Sequence, residues 1–197
     1  MSALQHKVGI FIFDDVEVLD FCGPWEVFSV TGRPSNNAYF QVYTMASTQQ
    51  LITARHGLKV VPHYDLQNVP PPDILVIPGG LGTRVLLENK HVLSSLKTLA
   101  ESAQLVLSVC TGALLLAKLG LLDHLKATTH HSALELLKSL APTAQILADK
   151  KYVDNGRVIV AGGISAGIDM SLHVVERILG RAEAEATARY MEYDITA

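Results

Sequence analysis

The chain predicts an α/β sandwich, with a mainly parallel sheet and helices on both faces. Three observations carry this. Short apolar, β-branched runs at residues 8–13, 74–77 and 105–109 suit strands buried on both faces. Helical patterns alternate with them, as Val92, Leu93, Leu96, Leu99 and Ala100 do within residues 89–103. Glycine-bearing or cysteine-bearing turns close the strands at Gly79-Gly80, Cys110-Thr111 and Gly162-Gly163, where open α/β sheets place their sites.

The elements follow in order. A first strand over 8–13 is broken by Asp14-Asp15. The apolar stretch 19–30 carries Gly23-Pro24 where a helix can begin at Trp25. Residues 31–37 read as a loop and 40–46 as a second strand. Residues 51–53 and 58–61 form a small β-hairpin excursion, with His56-Gly57 near its turn. Pro70-Pro71-Pro72-Asp73 imposes an extended approach to the strand at 74–77, which Pro78-Gly79-Gly80-Leu81-Gly82 ends. After the helix over 89–103 comes the strand 105–109, and then a helix from about 112 to 119. Residues 127–130 read as a short strand. Ser132 caps a helix running through Leu140, with Glu135 completing a capping box. Asn155-Gly156 marks a hairpin within 152–161. Gly162-Gly163 opens a long helix over 166–179, Gly180 ends it, and a last helix spans 181–193. No repeat, low-complexity tract or linker divides the chain, so one domain over residues 1–197 is expected.

Composition excludes several classes. Hydrophobic residues make up 49% and charged residues 18%, which fits a packed core and not a disordered chain. The net charge of −3 carries no footprint for nucleic acid, and no basic run suits a membrane surface. No apolar stretch is long enough to cross a bilayer, and the N-terminal residues lack a signal-peptide pattern. Two cysteines, Cys22 and Cys110, do not make a disulfide framework, so a reduced, cytoplasmic protein is expected.

Cys110 is the leading candidate for chemistry. It stands at a strand-to-helix turn, where a thiol is exposed and the helix N-terminus favours the thiolate. The competing reading is a small buried hydrophobe. Gly79-Gly80 offers an oxyanion hole through backbone N–H groups, with the Thr111 N–H as second donor, or is plain turn chemistry. Asp20, flanked by Leu19 and Phe21, is either a desolvated acid–base group or a capping carboxylate. Glu17 shares that ambiguity. The eight histidines include no pair at zinc-helix spacing, so no metal is expected. His130 or His131 can serve as a base for Cys110 or be a hydrogen-bonded structural group. His173 reads as packing and Cys22 as an apolar filler.

These motifs together resemble the ThiJ/PfpI superfamily, within the class I glutamine amidotransferase-like proteins. The resemblance rests on Glu17-Val18-Leu19-Asp20-Phe21 with Gly23-Pro24, and on Ile77-Pro78-Gly79-Gly80. It rests also on Val109-Cys110-Thr111-Gly112-Ala113, Leu119-Gly120-Leu121-Leu122-Asp123 and Ala127-Thr128-Thr129-His130. The run from Gly162 to Asp169 completes it. The branch most resembled contains isonitrile hydratases and the ligand-binding halves of AraC-type regulators. The resemblance implies a flavodoxin-like sandwich, a homodimer and no cofactor. It implies catalysis by Cys110, Asp20 and Thr111, with Gly79, Gly80, Gly163 and Ile164 as oxyanion or substrate contacts. The implied activity is hydration of an isocyanide, a small-molecule electrophile, to an N-substituted formamide. Two departures stand out. Thr111 occupies the place where the peptidase branch keeps His, and His131 stands where nearer relatives keep Trp. Two other readings remain: a ligand- or oxidation-sensing domain, and glyoxalase-like or hydrolase-like action on small electrophiles. The chain ends at Ala197 without a basic recognition helix, so direct binding to nucleic acid is not expected.

Overall fold

In the computed structural model, which describes residues 5–195, the alternating pattern becomes a sheet with a reversal of strand order at its centre. The elements run β1 (His6–Phe11), α1 (Val18–Val30), β2 (Phe40–Ala46), β3 (Ile52–Thr53), β4 (Lys59–Val60), β5 (Tyr64–Asp65) and β6 (Ile74–Ile77). They continue with α2 (Thr83–Leu86), α3 (Lys90–Ser102), β7 (Leu105–Val109), α4 (Gly112–Lys118), β8 (Lys126–Ala127) and α5 (Leu134–Leu140). The last are β9 (Gln145–Ile146), β10 (Tyr152–Asp154), β11 (Val158–Ala161), α6 (Ala166–Leu179) and α7 (Arg181–Tyr190).

The main sheet is ordered β10-β11-β7-β6-β1-β2-β5. Its pairs are parallel except the β10–β11 hairpin. The chain first moves outward from β1 to β2, then returns to place β6 on the other side of β1. The crevice at such a switch is where ligands bind in open α/β sheets. Register aligns Val8 with Ile74, Ile74 with Leu105, and Val106 with Val158, so the strands that carry Gly79 and Cys110 end side by side.

Helices cover the sheet in two groups. Helix α1 packs on α6 and α7, while α4 packs on α2 and α5. Ile10, Phe11, Leu75, Ile77, Leu107, Leu114 and Leu115 are fully buried between these layers. Full burial of one such side chain is worth roughly 1.5–3 kcal/mol, so the central strands are the most strongly held part of the molecule.

Several local expectations are met. Strands β2 and β6 and helix α6 have the bounds read from the sequence. Asn89 caps α3 by accepting the Val92 N–H at 3.1 Å. The hairpin excursion is β3 paired with β4, and Gly156 turns β10 into β11 at a φ of 85°.

Others are corrected. Helix α1 begins at Val18, not Trp25, and Gly23-Pro24 lies inside it. Pro24 has no N–H for the Asp20 carbonyl one turn back. Tertiary packing outweighs that loss. A Cβ at Gly23 would come within 3.1 Å of Ile168, and one at Gly167 within 3.6 Å of Pro24, so the small residues let α1 and α6 approach closely. The capping box at Ser132 is absent. His130 instead accepts the Ser132 N–H and starts a 3₁₀ turn, and α5 begins at Leu134 without a side-chain cap. Strand β1 starts two residues before the expected Val8, and the strand expected over 127–130 shrinks to Lys126–Ala127. Strands β5 and β9 and the short α2 were not legible in the sequence. The expectation that the N-terminus carries no leader falls partly on residues 1–4, outside the described residues. Among the described residues, no helix is long and apolar enough to cross a membrane.

Candidate active site

Cys110 follows β7 and adopts a φ of 55°. That left-handed conformation costs a non-glycine residue about 1–3 kcal/mol unless its surroundings hold it. They do. The Cys110 N–H reaches the carbonyls of Ala161 (3.1 Å) and Gly162 (2.7 Å), and its carbonyl accepts the Thr129 hydroxyl at 2.7 Å. Behind the turn, a Cβ at Gly112 would stand 2.0 Å from the Ile77 carbonyl oxygen. The glycine two residues after the thiol is therefore what lets α4 leave the sheet at this angle.

Asp20 reaches the thiol from the first turn of α1 and is fully buried. Its Oδ2 accepts the Gly79 N–H at 2.9 Å, and its carboxyl hydrogen-bonds the Cys110 side chain. Oδ1 is buried and has no hydrogen-bond partner among the described residues. Burial, which the Gly79 N–H and the thiol only partly offset, pushes the Asp20 carboxyl up to about 7, with the Glu17 carboxylate adding to the rise. Burial and the Asp20 charge push the Cys110 thiol up to about 12, opposed by the N–H groups of Thr111 and Ile164. The Asp20 charge raises the thiol while the thiol's hydrogen bond lowers the carboxyl, so the titration of each depends on the other.

The rest of the turn is locked. The Thr111 hydroxyl accepts the Gly80 N–H at 2.9 Å and lies 3.1 Å from the Gly80 carbonyl. The Thr83 hydroxyl donates to that same carbonyl at 2.8 Å. The expectation that Gly79 and Gly80 offer free N–H donors to an oxyanion is therefore not met. One N–H is held by Asp20 and the other by Thr111. The backbone donors that face the sulfur are those of Thr111 and Ile164. Ile164 is itself held at a φ of 47°, and a Cβ at Gly163 would fall 2.6 Å from the His130 ring. Gly163 thus serves as space for His130 and Ile164 as a donor.

A cavity of about 190 Å³ opens over Cys110, Thr111, Gly80 and Ile164. Glu17, His130, Arg55 and Arg84 also line it. The two arginines were not foreseen. Arg55 lies in the hairpin excursion and Arg84 two residues past a glycine-rich turn, and neither position has a periodic signal. His130 is held below the ordinary histidine range by burial, by His131 and by Arg84. Its Nδ1 accepts the Ser132 N–H at 3.3 Å, and among the described residues no hydrogen bond joins it to Cys110. The His131 ring lies tilted against it with centroids 4.1 Å apart, and lines a second cavity of about 580 Å³, which shares His130 and Ile164 as a wall. Cys22 is half-buried on α1 and lines neither cavity. His173 bonds Asp154 far along the chain, at 2.7 Å. Among the described residues, no three His, Cys, Asp or Glu side chains come together as a metal site requires.

Comparison with known proteins gives the family and the fold. Isonitrile hydratase of Pseudomonas putida is 32% identical over 187 residues, covering 95% of this chain and 78% of that protein. The HTH-type transcriptional regulator GbdR of Pseudomonas aeruginosa is 25% identical over 96% of this chain, which spans 51% of the regulator. Among solved structures, a ThiJ/PfpI family protein from Pseudomonas syringae superposes with a TM-score of 0.87 at 26% identity, covering all of this chain and 78% of that one. Drosophila melanogaster DJ-1beta shares the fold, with a TM-score of 0.83 at 19% identity over 97% of this chain and all of that one. The sequence pattern of the DJ-1/PfpI family matches residues 6–177, and the chain belongs to that family.

Proposed function

We propose that this chain is an isonitrile hydratase-type enzyme, acting as one domain through Cys110 and Asp20. The observation that carries the reading is the buried thiol–carboxyl pair. Asp20 stands next to the nucleophile, its carboxyl is pushed up to about 7, and one oxygen has no partner among the described residues. A carbon that must receive both a sulfur and a proton needs such a pair. The likeness to the Pseudomonas putida hydratase supports it.

The steps balance as follows. The thiol proton passes to the Asp20 carboxylate as sulfur attacks the terminal carbon of the isocyanide. An S–C bond forms, and Asp20 returns the proton to that carbon, leaving a thioimidate. Water then adds across the C=N bond, its oxygen to carbon and one proton to nitrogen. The tetrahedral adduct collapses, the C–S bond breaks, and the hydroxyl proton returns through Asp20 to sulfur. One isocyanide and one water become one N-substituted formamide. The Thr111 and Ile164 N–H groups stabilise sulfur when it carries charge. The Thr111 hydroxyl fixes the Gly80 turn. Neither a cofactor nor a metal enters these steps.

Incubation with cyclohexyl isocyanide tests the reading. Formamide production that disappears in Cys110→Ala supports it, and no formamide, or equal turnover by the variant, overturns it. The GbdR likeness favours a second reading, a ligand- or oxidation-sensing domain. Peroxide-formed sulfinic acid at Cys110, together with no turnover of isocyanides or methylglyoxal, would select it. Turnover of methylglyoxal alone would select glyoxalase-like action. The homodimer proposed with this reading is checked by light scattering in solution.

A further inference from the structure

The cavity over Cys110 contains a guanidinium, that of Arg84, which has no ion-pair partner among the described residues. Arg84 is half-buried, and its Nη1 donates to the Gly80 carbonyl (3.3 Å) and the Thr83 hydroxyl (3.0 Å). Those two groups also hold the Thr111 hydroxyl beside the nucleophile, so Arg84 is braced by the same network as the thiol. Of the guanidinium nitrogens, Nη1 alone makes hydrogen bonds among the described residues. Among the described residues, no carboxylate lies within ion-pair distance of Arg84. Arg55, on the same cavity wall, has Asp15 at 3.5 Å. Glu17 also lines the cavity but makes no ion pair with either arginine.

A half-buried cation without a partner is costly, and a braced fork with donors to spare matches a carboxylate in two parallel hydrogen bonds. We infer that Arg84 makes this cavity a site for a small electrophile bearing a carboxylate, with the reactive carbon presented to Cys110. The small cavity favours a short spacer between the two groups. The inference rests on the reading of Cys110 as a nucleophile but not on isocyanide as its substrate.

Two measurements separate these. The first is alkylation of Cys110 by iodoacetate and by iodoacetamide, resolved from Cys22 by peptide mass spectrometry. In each case sulfur displaces iodide, and only the charge of the reagent differs. The expected iodoacetate-to-iodoacetamide rate ratio exceeds that of free N-acetylcysteine by about tenfold or more. It falls to the free-thiol ratio in Arg84→Met and is only partly restored in Arg84→Lys, which keeps the charge but loses the fork. Because a ratio is read, a general loss of thiol reactivity on removing the brace cancels. The second is turnover of isocyanoacetate against its neutral methyl ester, where the preference for the acid is expected in KM and lost in Arg84→Met. A wild-type alkylation ratio equal to that of the free thiol overturns the inference. So does a ratio unchanged in Arg84→Met, or a Cys110 inert to both reagents. An intact, Arg84-dependent ratio without turnover of either isocyanide upholds the inference and overturns the hydratase reading.

Discussion

Asp20 and Asp154 are both carboxylates that share a hydrogen bond with a titratable side chain, yet the fold moves them in opposite directions. Burial raises both. Asp154 stands at the molecular surface, where the His173 ring (2.7 Å), the Gly156 N–H (2.7 Å) and Arg177 (3.0 and 3.1 Å) outweigh burial and hold it below its ordinary value. Asp20 has one backbone N–H, a thiol and, among the described residues, no cation, and it rises to about 7. A carboxylate satisfied on all sides is a latch, here tying the β10–β11 hairpin to α6. One left short of donors in a buried site is suited to carry a proton, the role proposed for Asp20.

The largest expected effect separates the two groups by activity. Asp20→Asn should lower turnover by about a hundredfold to ten-thousandfold, measured on whichever substrate the wild type accepts. Asp154→Asn should leave the Cys110 chemistry unchanged. Equal losses would erase the distinction.

Next comes Gly79→Ala. The added Cβ would lie 2.4 Å from the Thr111 nitrogen and 2.9 Å from Asp20 Oδ2. It should displace the one backbone donor on Asp20 and move the acidic limb of the pH–rate profile upward, with turnover down by about a hundredfold. An unshifted limb would mean that Gly79 does not set the charge of Asp20.

Stability against pH should show slopes of opposite sign. Asp20 rises from an ordinary 3.8 to about 7, so the folded state binds more protons in that window. Its contribution is fully present below 3.8 and is lost as pH climbs through 7, at up to about 1.4 kcal/mol per pH unit. Urea unfolding of Asp20→Asn across pH 4–7 should remove that decline. Asp154 is lowered, so its contribution is present above its ordinary value of 3.8 and is lost as pH falls through its folded value. The smallest effect is the latch itself. Arg177→Met should cost about 0.2–1 kcal/mol, because the pair is partly in water.

The difference in legibility follows the same line. Strand β6, helix α6, the Asn155-Gly156 hairpin and the Cys110 turn were readable because each depends on residues adjacent in the chain. The start of α1 was misread because Gly23-Pro24 obeys the local rule for a helix N-terminus, while packing against α6 decides otherwise. Gly79 and Gly80 are legible as the turn beside the thiol, but the choice between an oxyanion hole and plain turn chemistry is not, since composition cannot say where an N–H points. Arg84 carried no signal at all. The role proposed for it rests on the absence, among the described residues, of a carboxylate beside it.

The apolar alternation and glycine turns alone were sufficient to specify a mainly parallel α/β sheet with a cysteine at its carboxyl edge. Those features come from steric and hydrophobic preferences acting over a few residues. The charge state of Asp20, the donors on Cys110 and the unpaired Arg84 came only with the folded chain. They depend on bonds such as Gly79 to Asp20 and Gly80 to Thr111, which join residues 59 and 31 positions apart. Burial and hydrogen-bond direction exist only once those distant segments meet.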